Sequence, residues 1–447
     1  MVATVEGVSG RDVLLPGSPA YLAICGSTRI AHAPDDAPVA ILRCCDEAQV
    51  RAALRHVVAH GLPFCCRAGG HSTARFSLCS GVVLDVSGLD RVELDGARGV
   101  ARVGAGATLG ALNAALGAAG LHVPGGNCDG VGVGGHVQGG GYGVTSRLFG
   151  LNCDAVIAAT WMRADGRVIR ASPDDNPDLL WAMRGGTGNN FGVLLEVEYA
   201  TVALPRLHAQ ILRCRQAAPA LGRAFELFAS EPGLGGLVLL HADARGPCAV
   251  IVTVSVDGSS RRAAPRCRDL APELVFNGEL PYPALNRVLD RAIPRGAADT
   301  AIKHHRSRIL TRRPSGTAIR ALVASVADAA NPHHVVVLEP YGGAIAAVPA
   351  HRTAFVHRAA VGNLLAVTFS DDAASGAAAT RWVDGFLRAI AGCHRGGVSP
   401  SYPERDLADY RFAYWGEAFP ALLDVKRRLD PDNVFRFPQS IAHVAGA

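Results

Sequence analysis

Polar and apolar positions along the chain fall into two textures. Up to about residue 205, short apolar runs alternate with helical stretches and glycine loops. Residues 38–46 read as a strand followed by a helix, with Asp46 suited to cap it. Val50, Ala53, Leu54, Val57 and Val58 recur at helical spacing and are predicted to share its buried face. Residues 63–67 form a short strand running into a glycine turn, and 81–87 and 100–104 are further strands. Residues 108–116 are helical, with Gly120 as the stop. This alternation predicts an α+β domain. Beyond residue 205 the glycine loops thin out. Strand-like runs at 237–240, 249–256, 334–338 and 364–369 alternate with helical stretches, which predicts a second domain on an antiparallel sheet. A periodic helix over 419–429 stops at Asp430-Pro431, and the last six residues read as a frayed tail.

Composition narrows the picture. A chain of 447 residues is too long for one simple core, so two domains are expected. The balance of 49% hydrophobic and 19% charged residues is that of a globular protein, not a disordered one. A net charge of +5 without a basic stripe argues against a nucleic-acid partner. The basic residues are almost all arginine, with Lys303 and Lys426 the only lysines, which reads with the abundant Ala and Gly as the signature of a GC-rich bacterial genome. The first residues show no secretory pattern, and no uncharged apolar run could span a bilayer. A cytoplasmic protein without membrane contact is therefore expected. Twelve cysteines without a Cys-x-x-Cys spacing read as free thiols in a reducing compartment.

The candidate chemistry lies in two glycine-flanked residues. His71 sits in Arg67-Ala-Gly-Gly-His-Ser72, and Cys128 opens a run in which residues 124–143 hold ten glycines. Taken singly, His71 reads as a satisfied histidine and Cys128 as a small buried hydrophobe. Together they are two nucleophiles in loops that let backbone N–H groups approach a ligand, which suggests a cofactor tethered at two points. A flexible linker would be serine-rich and would lack the regular Val131, Val133 and Val137. Gly130–Gly135 fits G-x-G-x-x-G but follows no strand, and no Gly-Lys-Ser/Thr occurs. Metal ligation by the pair with His136 lacks a ligand spacing, so no metal is expected. A Cys-His hydrolase leaves the glycines unexplained.

Several blocks closely resemble the FAD-linked oxidases of the vanillyl-alcohol oxidase and berberine-bridge-enzyme type. They are 67–72, 81–89, 125–143, 147–154 and 178–193, and, further on, 342–343, 353–358 and 414–435. The resemblance implies a two-part PCMH-type FAD-binding domain over 1–205 (core about 34–205) with a return over 390–447. An antiparallel-sheet and helix substrate domain would lie between them at 206–389. It implies FAD linked through its 8α-methyl to His71 and through C6 to Cys128. Arg67, Ala68, Gly69, Gly70 and Ser72 would line the flavin. So would Gly132, Gly134, Gly135, Gly139, Gly140, Gly141, Gly143, Gly192, Val193 and Asn433, with His136 near flavin N1. The implied reaction takes a hydride from a small or medium organic substrate, an alcohol, an amine or an activated C–H of a natural-product intermediate, with dioxygen reoxidising the flavin to give hydrogen peroxide. The protein would act as a monomer or homodimer. An oxygenase-like or non-redox cyclisation, or flavin binding without turnover, are the alternatives. One departure stands out. The family's Tyr-x-Asn-Tyr stretch corresponds here to Ser399-Pro-Ser-Tyr402, so Ser399 replaces the usual base and Ser401 the asparagine. Tyr402, Tyr341 and Glu339 are the replacement candidates.

Overall fold

A computed structural model describes residues 5–26, 29–30, 37–292, 302–327 and 333–441. The predicted tail at 442–447 lies outside them. The early expectations hold closely. Asp46 accepts the Gln49 N–H at 2.8 Å and caps the helix Glu47–Ala59. That helix buries Val50, Ala53, Leu54 and Val57, whereas Val58 turns outward at 38% exposure. Val58 lies one position beyond the stripe, and 100° per residue carries it off the face. Thr108 caps Leu109–Ala118, and Gly120, at φ +66°, ends that stretch in the left-handed region.

Three of the four sheets among the described residues organise the molecule. Val13–Leu14, Ala40–Arg43, Val82–Asp85 and Phe64–Arg67 make a four-stranded sheet in that order. Its last three strands are parallel, so Arg67 and Asp85 end side by side. A five-stranded antiparallel sheet follows, with Val193–Ala200 at its centre. The third sheet has eight strands, in the order Glu273–Leu280, Leu207–Cys214, Gly246–Ser255, Gly235–Asp243, Val335–Pro340, Gly362–Ser370, Ile302–Leu310, Arg29–Ile30. It is antiparallel, as expected, except at its edge, where Arg29–Ile30 from the N-terminal part joins in parallel. Helices Ala217–Ser230, Gly316–Val326 and Ala373–Ala389 cover one face, burying Val336, Leu338, Leu364 and Ala366. Because side chains alternate along a strand, the other face carries Lys303, His305, Ser307, Glu339, Tyr341 and Asn363 toward the glycine loops. No helix among the described residues is long and apolar enough to cross a membrane.

Two buried cations join the parts. Arg147 donates to Leu234 O at 2.7 Å, to Phe228 O at 2.7 Å and to Tyr341 O. Phe228 lies in the last turn of Ala217–Ser230, so the guanidinium meets the negative end of that helix. Lys426 donates to Asp430 at 2.6 Å, to Asn190 O at 2.7 Å and to Phe435 O at 2.5 Å. It fastens the helix Phe419–Leu429 to the loop before Val193. Lys426→Met would leave Asp430 as a buried carboxylate without its cation, so a loss of about 3–5 kcal/mol is expected. A denaturant melt with an unchanged midpoint would contradict this.

Candidate functional site

The two glycine loops meet. Gly69 and Gly132 lie so close that a Cβ on either would collide with the backbone of the other. This contact brings His71 over Gly130, two residues from Cys128. Both side chains are exposed, so Cys128 is not the buried hydrophobe its composition suggests. Lys303 faces the pair from the eight-stranded sheet. Desolvation in the cleft, with the Lys303 and Arg67 cations, holds the His71 imidazole below its ordinary range. A neutral imidazole is the nucleophilic form. Burial also lowers Lys303, and Cys128 opposes that shift.

The glycine run after Cys128 is not the continuous loop the sequence suggests. A short helix, Val133–Gln138, forms within it because Val133 and Val137, four apart, both reach the core. Its amides are consequently spent inside the protein. Gly134 donates to Ala105 O at 2.9 Å, Gly140 to Val137 O at 3.2 Å and Gly143 to the Ser146 hydroxyl at 2.9 Å. His136 ends up against Gly125, Gly126 and Gly141. Its Nε2 accepts the Gly126 N–H at 3.0 Å, which leaves Nδ1 as the protonated nitrogen. Burial pulls its pKa down to about 4, so the ring is neutral near pH 7.

The other expected cofactor residues divide. Arg67 turns back on its own loop, pairing with Asp85 at 3.2 Å and donating to Ala68 O at 3.1 Å beside Gly70. It supports the turn that carries His71. Ser72 accepts the Phe76 N–H at 3.1 Å. Gly135 faces open space, and Gly139 contacts Ser401. Gly192 and Val193 open a central strand and pack against Met162. Asn433 lies in the turn after the C-terminal helix, its Oδ1 buried without a partner.

The candidate bases come together from distant segments. Three neighbouring strands align Ser307, Asn363 and Glu339. The Ser307 hydroxyl donates to Asn363 Oδ1 at 2.8 Å, and Asn363 Nδ2 donates to Glu339 Oε2 at 3.0 Å. The Tyr402 hydroxyl donates to the other carboxylate oxygen at 2.5 Å. Burial pushes the Glu339 carboxyl up to about 7, against the pull of the Tyr402 and Asn363 hydrogen bonds. Tyr402 is partly exposed and Glu339 is buried behind it. The Tyr402 loop is pinned on both sides. Ser401 donates to Gly139 O at 3.0 Å, and the Pro403 carbonyl accepts from Thr73 at 2.9 Å and bonds His305 at 3.0 Å. Both glycine loops thus hold the Tyr402–Glu339 pair in place. Tyr341 stacks on Tyr142, with ring centroids 5.8 Å apart and planes at 17°. The Tyr142 hydroxyl donates to Gly236 O at 2.6 Å. Ser399, which stands in the place of the usual tyrosine, is buried, its backbone near the Ser307 hydroxyl.

Sequence reasoning missed Tyr142, Asn363 and Lys303. Tyr142 is the single aromatic inside the glycine run, and Lys303 is one of only two lysines. Both were signals in plain view. Asn363 carried none.

These residues fit a flavin nucleotide. The close contact of Gly69 with Gly132 makes a floor without side chains. The backbone N–H groups of Gly69, His71 and Ser72 find no acceptor among the described residues. The orphaned Asn433 Oδ1 offers a further polar contact. Comparison with known proteins agrees. Residues 38–172 match the family of FAD binding domains, and residues 401–442 match the family described as berberine and berberine like. The FAD-linked oxidoreductase pytB of Aspergillus terreus is 37% identical over 46% of this chain, which spans only 25% of that relative. Uncharacterized FAD-linked oxidoreductase YvdP of Bacillus subtilis is 29% identical, over 85% of this chain and 87% of its own. Among solved structures, BBE-like 1 of Physcomitrella patens superposes with a TM-score of 0.83 at 25% identity, covering 96% of each chain.

Proposed function

We propose that this chain, an FAD-linked oxidoreductase with an FAD-binding domain and a berberine-like closing segment, holds its flavin through both His71 and Cys128 and uses Glu339 as the base. The observation that carries the first part is the meeting of the two loops, which sets a neutral imidazole and an exposed thiol side by side. A bound flavin would supply the hydride acceptor and pass the electron pair to dioxygen as hydrogen peroxide.

The chain's own residues supply position and proton transfer. Tyr142 and Tyr341 form an aromatic wall for an organic substrate. Burial raises Tyr402 well above its ordinary range, so this phenol does not ionise near neutrality. Glu339, at about 7, does. The pair therefore works as a relay. Tyr402 accepts the proton of a substrate O–H or N–H and hands its own to Glu339. His136 is neutral with its proton on Nδ1; its Nε2, spent on the Gly126 N–H, faces Gly125 and Gly141, so only the Nδ1–H could serve negative charge on a reduced ring. The substrate class that suits this machinery is a small or medium alcohol or amine, or an activated C–H compound, of natural-product type. Residues 206–389 would act as the substrate domain, and the enzyme would work in the cytoplasm as a monomer or homodimer.

The test is a panel of such compounds coupled to peroxide release, together with anaerobic bleaching of the flavin. A product formed without bleaching would favour the non-redox cyclisation instead. Tyr402→Phe removes the relay hydroxyl and keeps the ring. Its kcat should fall by about ten- to a hundredfold, less than on loss of the base itself. Unchanged turnover in that variant would remove Tyr402 from the mechanism.

A further inference from the structure

The loop bearing Cys128 is clamped from outside by one helix, Tyr282–Ala292. Tyr282, Leu285 and Leu289 are buried, and Pro283 packs against Gly117 of the helix Leu109–Ala118. Asn286, itself 5% exposed, reaches both neighbours of the cysteine. Its Oδ1 accepts from Asn127 Nδ2 at 3.0 Å, and its Nδ2 donates to Asp129 Oδ1 at 3.0 Å. One turn earlier, the Tyr282 hydroxyl donates to Gly125 O at 3.1 Å and receives Asn127 Nδ2 at 3.4 Å. Asn127 Oδ1 in turn accepts the Val144 N–H at 3.3 Å. A single buried amide thus satisfies the residues on either side of an exposed thiol.

From this we infer that Asn286 is a positioning residue for the Cys128 tether. Residues 128–130 are exposed and glycine-flanked, so an unclamped Cys128 would sample many directions. Bond formation at one ring carbon needs the sulfur held within a fraction of an ångström of its line of approach. Forming the link exchanges one S–H and one flavin C–H for an S–C bond. The two electrons and two protons leave to dioxygen as hydrogen peroxide. Asn286 touches neither partner. It fixes the segment that carries the sulfur.

The inference rests on the tether reading above, and the experiment separates the two. In a His71→Ala background Cys128 is the sole link, and flavin should stay with the protein after acid precipitation. In His71→Ala/Asn286→Leu the retained flavin should fall at least about tenfold, the effect of losing a hydrogen bond to a carboxylate together with its neutral counterpart. Asn286→Leu alone should still retain flavin through His71, which shows that it folds. Should it fail to fold, Asn286→Asp takes its place. That change preserves shape and sets a second carboxylate against Asp129, so retention should drop in the same direction. Equal retention with and without the Asn286 substitution overturns the inference alone. Release from His71→Ala itself overturns the tether reading and the inference with it.

Discussion

Glu339→Gln should lower kcat by about 10²- to 10⁴-fold, the usual worth of a positioned general base, and should make the fold more stable at alkaline pH. The substitution is nearly isosteric. The new carbonyl can keep the Asn363 Nδ2 bond, and the new NH2 can donate to the Tyr402 oxygen, whose hydroxyl rotates away. What disappears is the proton acceptor. In the wild type, kcat/KM should rise with pH through about 7 as Glu339 ionises, and in the variant that limb should vanish. The stability effect has the opposite pH sense. The folded pKa is raised from 4.5 to about 7, so the fold prefers the neutral acid. That preference is fully present below pH 4.5 and is lost as pH rises through 7. At pH 8 the wild type carries a buried carboxylate at a cost of about 3 kcal/mol, which glutamine does not incur. The gap in Tm between variant and wild type should therefore open between about pH 4.5 and 7 and stay level above. A variant of wild-type turnover, or one that keeps the pH limb, would exclude Glu339 as the base.

Much of the frame could be read from residues close in sequence. Asp46 announced its helix, Gly120 the stop of the next, and the apolar run 364–369 a strand. The two glycine loops were legible for the same reason, since the chemistry and the backbone freedom lie within a few residues of each other. The base was not. Glu339 and Tyr402 are 63 positions apart, and nothing in Leu-Glu-Pro says that the carboxylate is buried beneath a phenol. Asn363 and Ser307 join them only because three strands pair in one register. The helix Val133–Gln138 was hidden by its glycines, whose low helical propensity is overridden when Val133 and Val137 reach the core. Arg67 is assigned to the ligand by the family resemblance. Its pairing with Asp85 follows from two parallel strands that end together.

Removing both nucleophiles should release the flavin entirely, and removing either alone should not. His71→Ala leaves Cys128 as the link and Cys128→Ala leaves His71, so each single variant should stay yellow after denaturation in SDS. The double variant should bind flavin only through the glycine floor and the free amides near it, contacts that vanish when the chain unfolds. A second readout comes from the potential. Each link would draw electron density from the ring, so each single variant should be a weaker hydride acceptor, with a lower potential than the wild type. For a two-electron couple a drop of about 30 mV corresponds to about tenfold in equilibrium. The two readouts answer different questions. Retention after denaturation counts covalent bonds and is indifferent to turnover, whereas the potential reports what the bonds do for the chemistry. If trichloroacetic acid washes the flavin out of the wild type, the two loops are a noncovalent cradle, and the neutral His71 and exposed Cys128 need another explanation. If only His71→Ala releases it, the histidine is the tether. Lys303 would then face a free thiol across the cleft, and Cys128 would be open to alkylation in the holoenzyme.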